Sequence, residues 1–212
     1  MLEYKRNQVE EAISHLLEPT SPKPTQGLRT KAKRLLEADR ALHASAGANG
    51  NFAFFSAEPP GRGIEIWFSA YEAFALLTGL RLMAHGWPQG QAVSVMRSVR
   101  PSLEEEHRRI LLHDPNWLFD QEAIRKNAQP GDHAFDNQDP LLLTIVSGAA
   151  DPSGQRADPV CKICRGPGEA HQFFHAVSAM SGALTLFELT TSAHRLAGEL
   201  TKTEPRFRGR SH

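Results

Sequence analysis

The stretch that decides the fold is Phe52–Arg100, which reads FAFFSAEPPGRGIEIWFSAYEAFALLTGLRLMAHGWPQGQAVSVMRSVR. Its first part holds two short runs, Phe52–Ser56 and Ile64–Ser69, that are rich in aromatic and β-branched residues. Such residues favour strands, and the prolines and glycines between the two runs favour a tight turn. The sequence therefore predicts a β-hairpin with Arg62 at its tip.

Two helices are predicted after this hairpin. Ser69 is a good N-cap, and Glu72 stands at the capping-box position three residues on. The apolar residues that follow recur every three or four positions, as on one face of a largely buried helix: Tyr71, Phe74, Leu77, Leu80, Ala84 and Trp87. Gly86 is placed to end this helix and Pro88 to open the next one.

Composition and charge restrict the classes of protein that the chain can belong to. The 212 residues include 24 Lys and Arg and 24 Asp and Glu, so the formal net charge is zero. A surface for a polyanion must therefore come from local charge asymmetry. Two cysteines are too few for a disulfide scaffold and fit a reducing compartment. The sequence shows no signal peptide and no apolar run of membrane-spanning length, which predicts a cytoplasmic protein without membrane contact.

The region before the hairpin predicts two helices, Tyr4–Leu17 and Leu28–Leu42, separated by a proline-rich join. One face of the second helix is basic, and cations and short polar side chains are the groups that contact phosphates and base edges. These residues and the hairpin tip are the first candidates for DNA binding: Arg29, Thr30, Lys31, Lys33, Arg34 and Arg62. The same pattern also fits an ordinary solvated helix face.

A second candidate for DNA recognition overlaps the first. Leu80–Val99 fits a helix-turn-helix with Gly86 in the turn. Gln89, Gln91 and Arg97 would then face the DNA groove, since Gln and Arg side chains pair with adenine and guanine edges. A plain helical hairpin with a polar outer face would show the same pattern.

The order of helix, basic helix, hairpin and long helix resembles the winged-helix DNA-binding domain of the MerR-like regulators. The similarity is greatest in Phe68–Val93, where a helix ends at a glycine and a second short helix follows. It covers roughly residues 5 to 100. The resemblance implies a winged-helix N-terminal half that binds double-stranded DNA and regulates transcription.

The second half of the chain predicts a small α+β unit with an antiparallel sheet. Helical residues 103–128 suggest a connector or dimerisation arm. After it come predicted strands at 141–147 and 183–190 and predicted helices at 169–180 and 192–202, and residues 160–165 fit either a strand or a cysteine knuckle. The expected fold is thus α+β and mostly helical. Its expected parts are a domain at 1–100, an arm at 101–130, a regulatory or interaction module at 131–204, and a disordered basic tail at 205–212.

Four residues of this half could hold a metal ion. Cys161 and Cys164 form a C-x₂-C pair typical of a zinc half-site, and His171 and His175 are spaced to place two imidazoles on one helix face. The alternation around the cysteines also fits a plain strand, in which a buried cysteine acts as a small apolar residue.

Function is predicted from these patterns together. No Gly-rich phosphate loop, G-x-S-x-G or H-E-x-x-H motif is present, so we expect no enzyme, and no cofactor unless the cysteine pair binds zinc. The leading hypothesis is a DNA-binding transcriptional regulator that acts as a homodimer. The alternatives are a protein–protein adaptor without a nucleic-acid role and a zinc-stabilised module.

Overall fold

The computed structural model describes residues 3–46, 51–58, 65–113, 140–147, 158–177 and 182–205. The elements in chain order are β1 (Glu3–Lys5), α1 (Arg6–Leu17), α2 (Gln26–Ala46), β2 (Trp67–Ser69), α3 (Ala70–Ala84), α4 (Gln89–Ile110), β3 (Leu141–Ser147), β4 (Val160–Arg165), α5 (Gly166–Val177), β5 (Ala183–Glu188) and α6 (Thr190–Lys202). Both sheets are antiparallel. The prediction of an α+β, mostly helical protein is therefore confirmed.

The chain divides into two compact units. The first comprises Met1–Arg100 together with Arg195–His212, and the second comprises Pro101–His194. The four parts expected from the sequence, 1–100, 101–130, 131–204 and 205–212, stay a prediction. In the structure the end of α6 belongs to the first unit.

The start and end of α3 follow their local signals. The Ser69 hydroxyl accepts a hydrogen bond from the Glu72 N–H at 3.2 Å, and the Glu72 carboxylate accepts one from the Ser69 N–H at 2.6 Å. This is the predicted capping box, and it is confirmed. Gly86 follows the helix with φ of 87°, a left-handed conformation that glycine adopts without strain.

The predicted hairpin is wrong. β2 pairs with β1 instead, with Glu3 opposite Ser69 in the register. Phe52–Ser56 does not form a strand but an irregular segment in which four of the five residues are buried. The Arg100 guanidinium donates hydrogen bonds to two backbone carbonyls of that segment, to Phe52 O at 2.6 Å and to Phe55 O. The predicted turn, including Arg62, lies outside the described residues.

Asp39 holds the same segment from the other side. Its side chain is completely buried, and its carboxylate accepts from Ala53 N at 2.9 Å and from Phe54 N at 3.0 Å. Arg97 on α4 donates from Nε to the same carboxylate at 2.7 Å and from its guanidinium to the Asp39 carbonyl. Side chains therefore satisfy the backbone groups that a strand partner would otherwise satisfy, which is why this aromatic run needs no sheet.

Gly79 marks the closest approach between α3 and its neighbours. A Cβ atom there would stand 2.8 Å from Leu35 Cδ2 and 2.9 Å from Phe54 Cζ. We expect Gly79→Val to lower the free energy of unfolding by about 2 kcal/mol, because extra carbons in a packed core displace their neighbours. Urea unfolding measures the change.

The matched control for this change is Gly198→Val in α6, where an added Cβ meets nothing within 4 Å. It should raise the free energy of unfolding by less than about 0.5 kcal/mol, because valine has a higher helix propensity than glycine. Equal losses in the two variants would mean that close packing around Gly79 is not what requires a glycine there.

The second unit contains a three-stranded sheet in the order β4-β3-β5. β3 and β4 are consecutive antiparallel strands, and β5 pairs with the other edge of β3. Leu143, Ile145 and Phe187 are buried on one face of this sheet. On the other face, α5 packs against Leu142 and Cys164 through Ala170.

The connector between the units differs from the prediction. α4 runs without a break through Pro101 to Ile110, whereas the sequence predicted a separate helical arm that begins after Arg100. The rest of the predicted arm, from residue 114 onward, lies outside the described residues, as does the tail from residue 206. Within the described part of the chain, no helix is long and apolar enough to cross a membrane.

Candidate nucleic-acid interface

The exposed face of α2 is strongly basic. Leu28, Ala32, Leu35 and Leu36 are buried on the opposite side of this helix, and the 3.6-residue period turns the remaining positions to solvent. The residues on the solvent side include four exposed cations and the half-buried Thr30: Arg29, Lys31, Lys33 and Arg34. The predicted phosphate-contacting side chains therefore lie on a surface that a ligand can reach.

Two of these four cations form no ion pair with a carboxylate in the described part of the chain. Arg29 Nε lies 3.9 Å from the Glu10 carboxylate, and Lys33 Nζ lies 3.7 Å from the Glu37 carboxylate. No carboxylate of a described residue forms an ion pair with Lys31 or Arg34. The positive potential of the helix is consequently concentrated at these two side chains, which stand one turn apart.

The beginning of α4 lies against the same helix. Gln89 Nε2 donates a hydrogen bond to the Arg34 carbonyl oxygen at 3.0 Å. This contact joins the two candidates for DNA recognition, which the sequence treated as alternatives, into one continuous surface. We call it the basic surface and define it by these residues: Arg29, Thr30, Lys31, Lys33, Arg34 and Gln89. Gln91, on the first turn of α4, is half-buried.

Arg97 does not face outward as predicted. Its guanidinium forms an ion pair with the buried Asp39, and only 16% of its side chain is exposed. The pair joins α2 to α4, so Arg97 positions these helices and presents no charge to a ligand. Asp39 and Arg100, which complete this network, were not singled out from the sequence. The sequence does hold a sign of the role of Asp39. This acidic residue stands four positions after Leu35, in a row of positions that is otherwise apolar in an amphipathic helix.

The two cysteines lie on opposite faces of β4. Cys161 is opposite Ile145 and Cys164 is opposite Leu142 in the register with β3, and successive residues of a strand alternate between faces. Cys164 is fully buried, and burial raises the pKa of its thiol. The pair cannot serve as the predicted zinc half-site, because its sulfur atoms do not point the same way.

The two histidines of the predicted metal set do come together. His171 Nε2 and His175 Nε2 are 3.1 Å apart on α5, and both residues are exposed. Among the residues that the structure describes, no three His, Cys, Asp or Glu side chains form a group able to hold a metal ion. The structure therefore brings together half of the four predicted ligands.

Comparison with known proteins adds no further assignment. No family model matches the chain, and no curated protein matches it. The functional argument therefore depends on the basic surface.

Proposed function

We propose that this protein binds double-stranded DNA through the basic surface and acts as a regulator of transcription. The observation that carries the proposal is the hydrogen bond from Gln89 to the Arg34 carbonyl. It places a polar side chain able to recognise a base beside two cations that no described carboxylate neutralises, Lys31 and Arg34.

The side chains of this surface have the chemistry that groove recognition needs. An α-helix fits the major groove, where an arginine guanidinium donates two hydrogen bonds to guanine and a glutamine amide pairs with adenine. Gln89 uses one amide hydrogen on the Arg34 carbonyl, which leaves its second amide hydrogen and its oxygen for a base. Lys31 and Lys33 supply charge for phosphates, which position the helix on the duplex.

The buried pair between Asp39 and Arg97 supports the same proposal. It fixes α2 against α4 with a 2.7 Å contact, so the spacing of Arg34 and Gln89 is set before DNA arrives. Preorganised contacts lose less conformational entropy on binding. The predicted homodimer, which would imply a palindromic site, stays a prediction.

Fluorescence anisotropy with a short random-sequence duplex tests the proposal. Because phosphate contacts release counterions, the logarithm of the binding constant should fall linearly with the logarithm of the salt concentration. We expect the variant Lys31→Glu/Arg34→Glu to bind at least about tenfold more weakly and to flatten the slope by about one unit, because it removes the phosphate contact of Lys31.

The matched control is Arg109→Glu/Lys202→Glu, which makes the same change in net charge at two exposed cations outside the basic surface. It should bind DNA as the unchanged protein does. If both double variants lose the same affinity, net charge and not the basic surface governs binding. If the unchanged protein shows no salt-sensitive binding, the proposal is wrong and the adaptor hypothesis takes its place.

A further inference from the structure

We infer that His171 and His175 form an open two-ligand site for a divalent transition metal, independent of the proposed DNA binding. The two residues are one helical turn apart on α5 and both are exposed to solvent. Their Nε2 atoms are 3.1 Å apart, and their ring centroids are 4.3 Å apart with the ring planes at 72°. The Nε2 atoms of the two rings are therefore neighbours on the exposed surface of α5.

The distance between the nitrogens matches the bite of a metal ion. With zinc–nitrogen bonds of about 2.0–2.1 Å, two imidazole nitrogens on one tetrahedral ion are separated by roughly 3.3 Å. At a right angle, as in square-planar or octahedral geometry, bonds of that length give a separation of about 2.9 Å. The 3.1 Å separation lies between these values. The spacing of the nitrogens therefore fits one ion once the two exposed side chains rotate to turn their lone pairs toward it.

A metal ion needs the Nε2 lone pairs of both neutral rings, so each ring then carries its hydrogen on Nδ1. Acid opposes binding, because a protonated imidazole has no lone pair to donate.

Among the residues that the structure describes, no neighbouring side chain supplies a third ligand. Glu169 accepts from Lys162 Nζ at 2.6 Å and from Arg165 N at 2.7 Å. Cys164 is buried against Ala170. The site is therefore open, and imidazole pairs of this kind bind copper(II) more tightly than nickel(II) or zinc(II).

Titration of the full chain with copper(II), followed by calorimetry and electron paramagnetic resonance, tests the inference. The chain has ten histidines, so the variant that separates the pair keeps their number constant. His175→Ala/Ala176→His does so, but it places the imidazoles five residues apart and on different faces of α5. We expect it to bind copper about a hundredfold more weakly, because the second ligand no longer binds intramolecularly.

A second variant serves as the control. His85→Ala/His113→Ala removes two exposed histidines elsewhere and should keep both the affinity and the two-nitrogen resonance signal. Circular dichroism checks that α5 still folds in each variant. If the relocated pair binds as tightly as the original pair, or if the control loses the tight site, the assignment to these two residues is wrong.

Discussion

Replacing Asp39 with alanine is expected to lower the free energy of unfolding by about 3–5 kcal/mol, the cost of breaking a buried ion pair from one side. The substitution removes the partner of Arg97, whose side chain is only 16% exposed. It also removes the acceptor for the N–H groups of Ala53 and Phe54. Buried donors without an acceptor carry the full cost of their desolvation. Urea unfolding followed by tryptophan fluorescence measures the loss.

The matched control for this prediction is Glu37→Ala, two residues earlier on the same helix. The Glu37 side chain is 58% exposed, and its carboxylate lies 3.7 Å from Lys33, so its removal should cost less than about 0.5 kcal/mol. A similarly small loss for Asp39→Ala would show that water replaces the carboxylate, and that the segment 51–58 is held by its aromatic contacts alone.

Acidification from pH 7.5 to pH 4.5 is expected to destabilise the second unit through His107. Burial, and in addition the charge of His194, lowers the pKa of His107 from 6.5 to about 4. The unfolded chain therefore binds more protons than the folded one between these two pH values. Stability is fully present above pH 6.5 and is lost as the pH falls toward 4. The loss approaches about 3 kcal/mol.

Comparing variants separates His107 from the carboxylates that titrate in the same range. His107→Leu replaces the buried imidazole with an apolar group and should reduce the difference in stability between pH 7.5 and pH 4.5 by about 2 kcal/mol. His113→Leu changes an exposed histidine and should leave that difference as it is. An unchanged difference in His107→Leu would mean that folding does not lower the pKa of this imidazole.

The elements with strong local signals were predictable from the sequence. The capping box of Ser69 and Glu72 and the glycine at the end of α3 are encoded within a few residues, and the structure has both. The hairpin prediction failed because an aromatic run fits either a strand or a buried irregular segment. The choice between them was made by Asp39 and Arg100, and sequence periodicity does not reveal such distant contacts.

The candidate site, too, was only partly predictable from the sequence. The exposed basic face of α2 follows from its period, but the contact of Gln89 with the Arg34 carbonyl joins residues 55 positions apart. No local pattern predicts that separation. Arg97 was misplaced because a charged residue on a helix was taken as solvent-facing, although its partner Asp39 stands in an apolar row. The spacing of the two cysteines would fit a zinc half-site in a loop. In the strand β4, however, successive side chains alternate between faces, so the two cysteines lie on opposite sides.

The discontinuity of the first unit sets the order in which it is completed during synthesis. Gln8 on α1 is almost fully buried, and its amide donates to the Thr203 carbonyl at 2.9 Å. His15 Nδ1 lies 2.8 Å from a Glu199 carboxylate oxygen. A ribosome adding about 5–20 residues per second translates Pro101–His194 in roughly 5–20 s before these partners emerge. During that interval α1 lacks its contacts with the C-terminal residues of the first unit. A chaperone or protease therefore has access to α1 at this time.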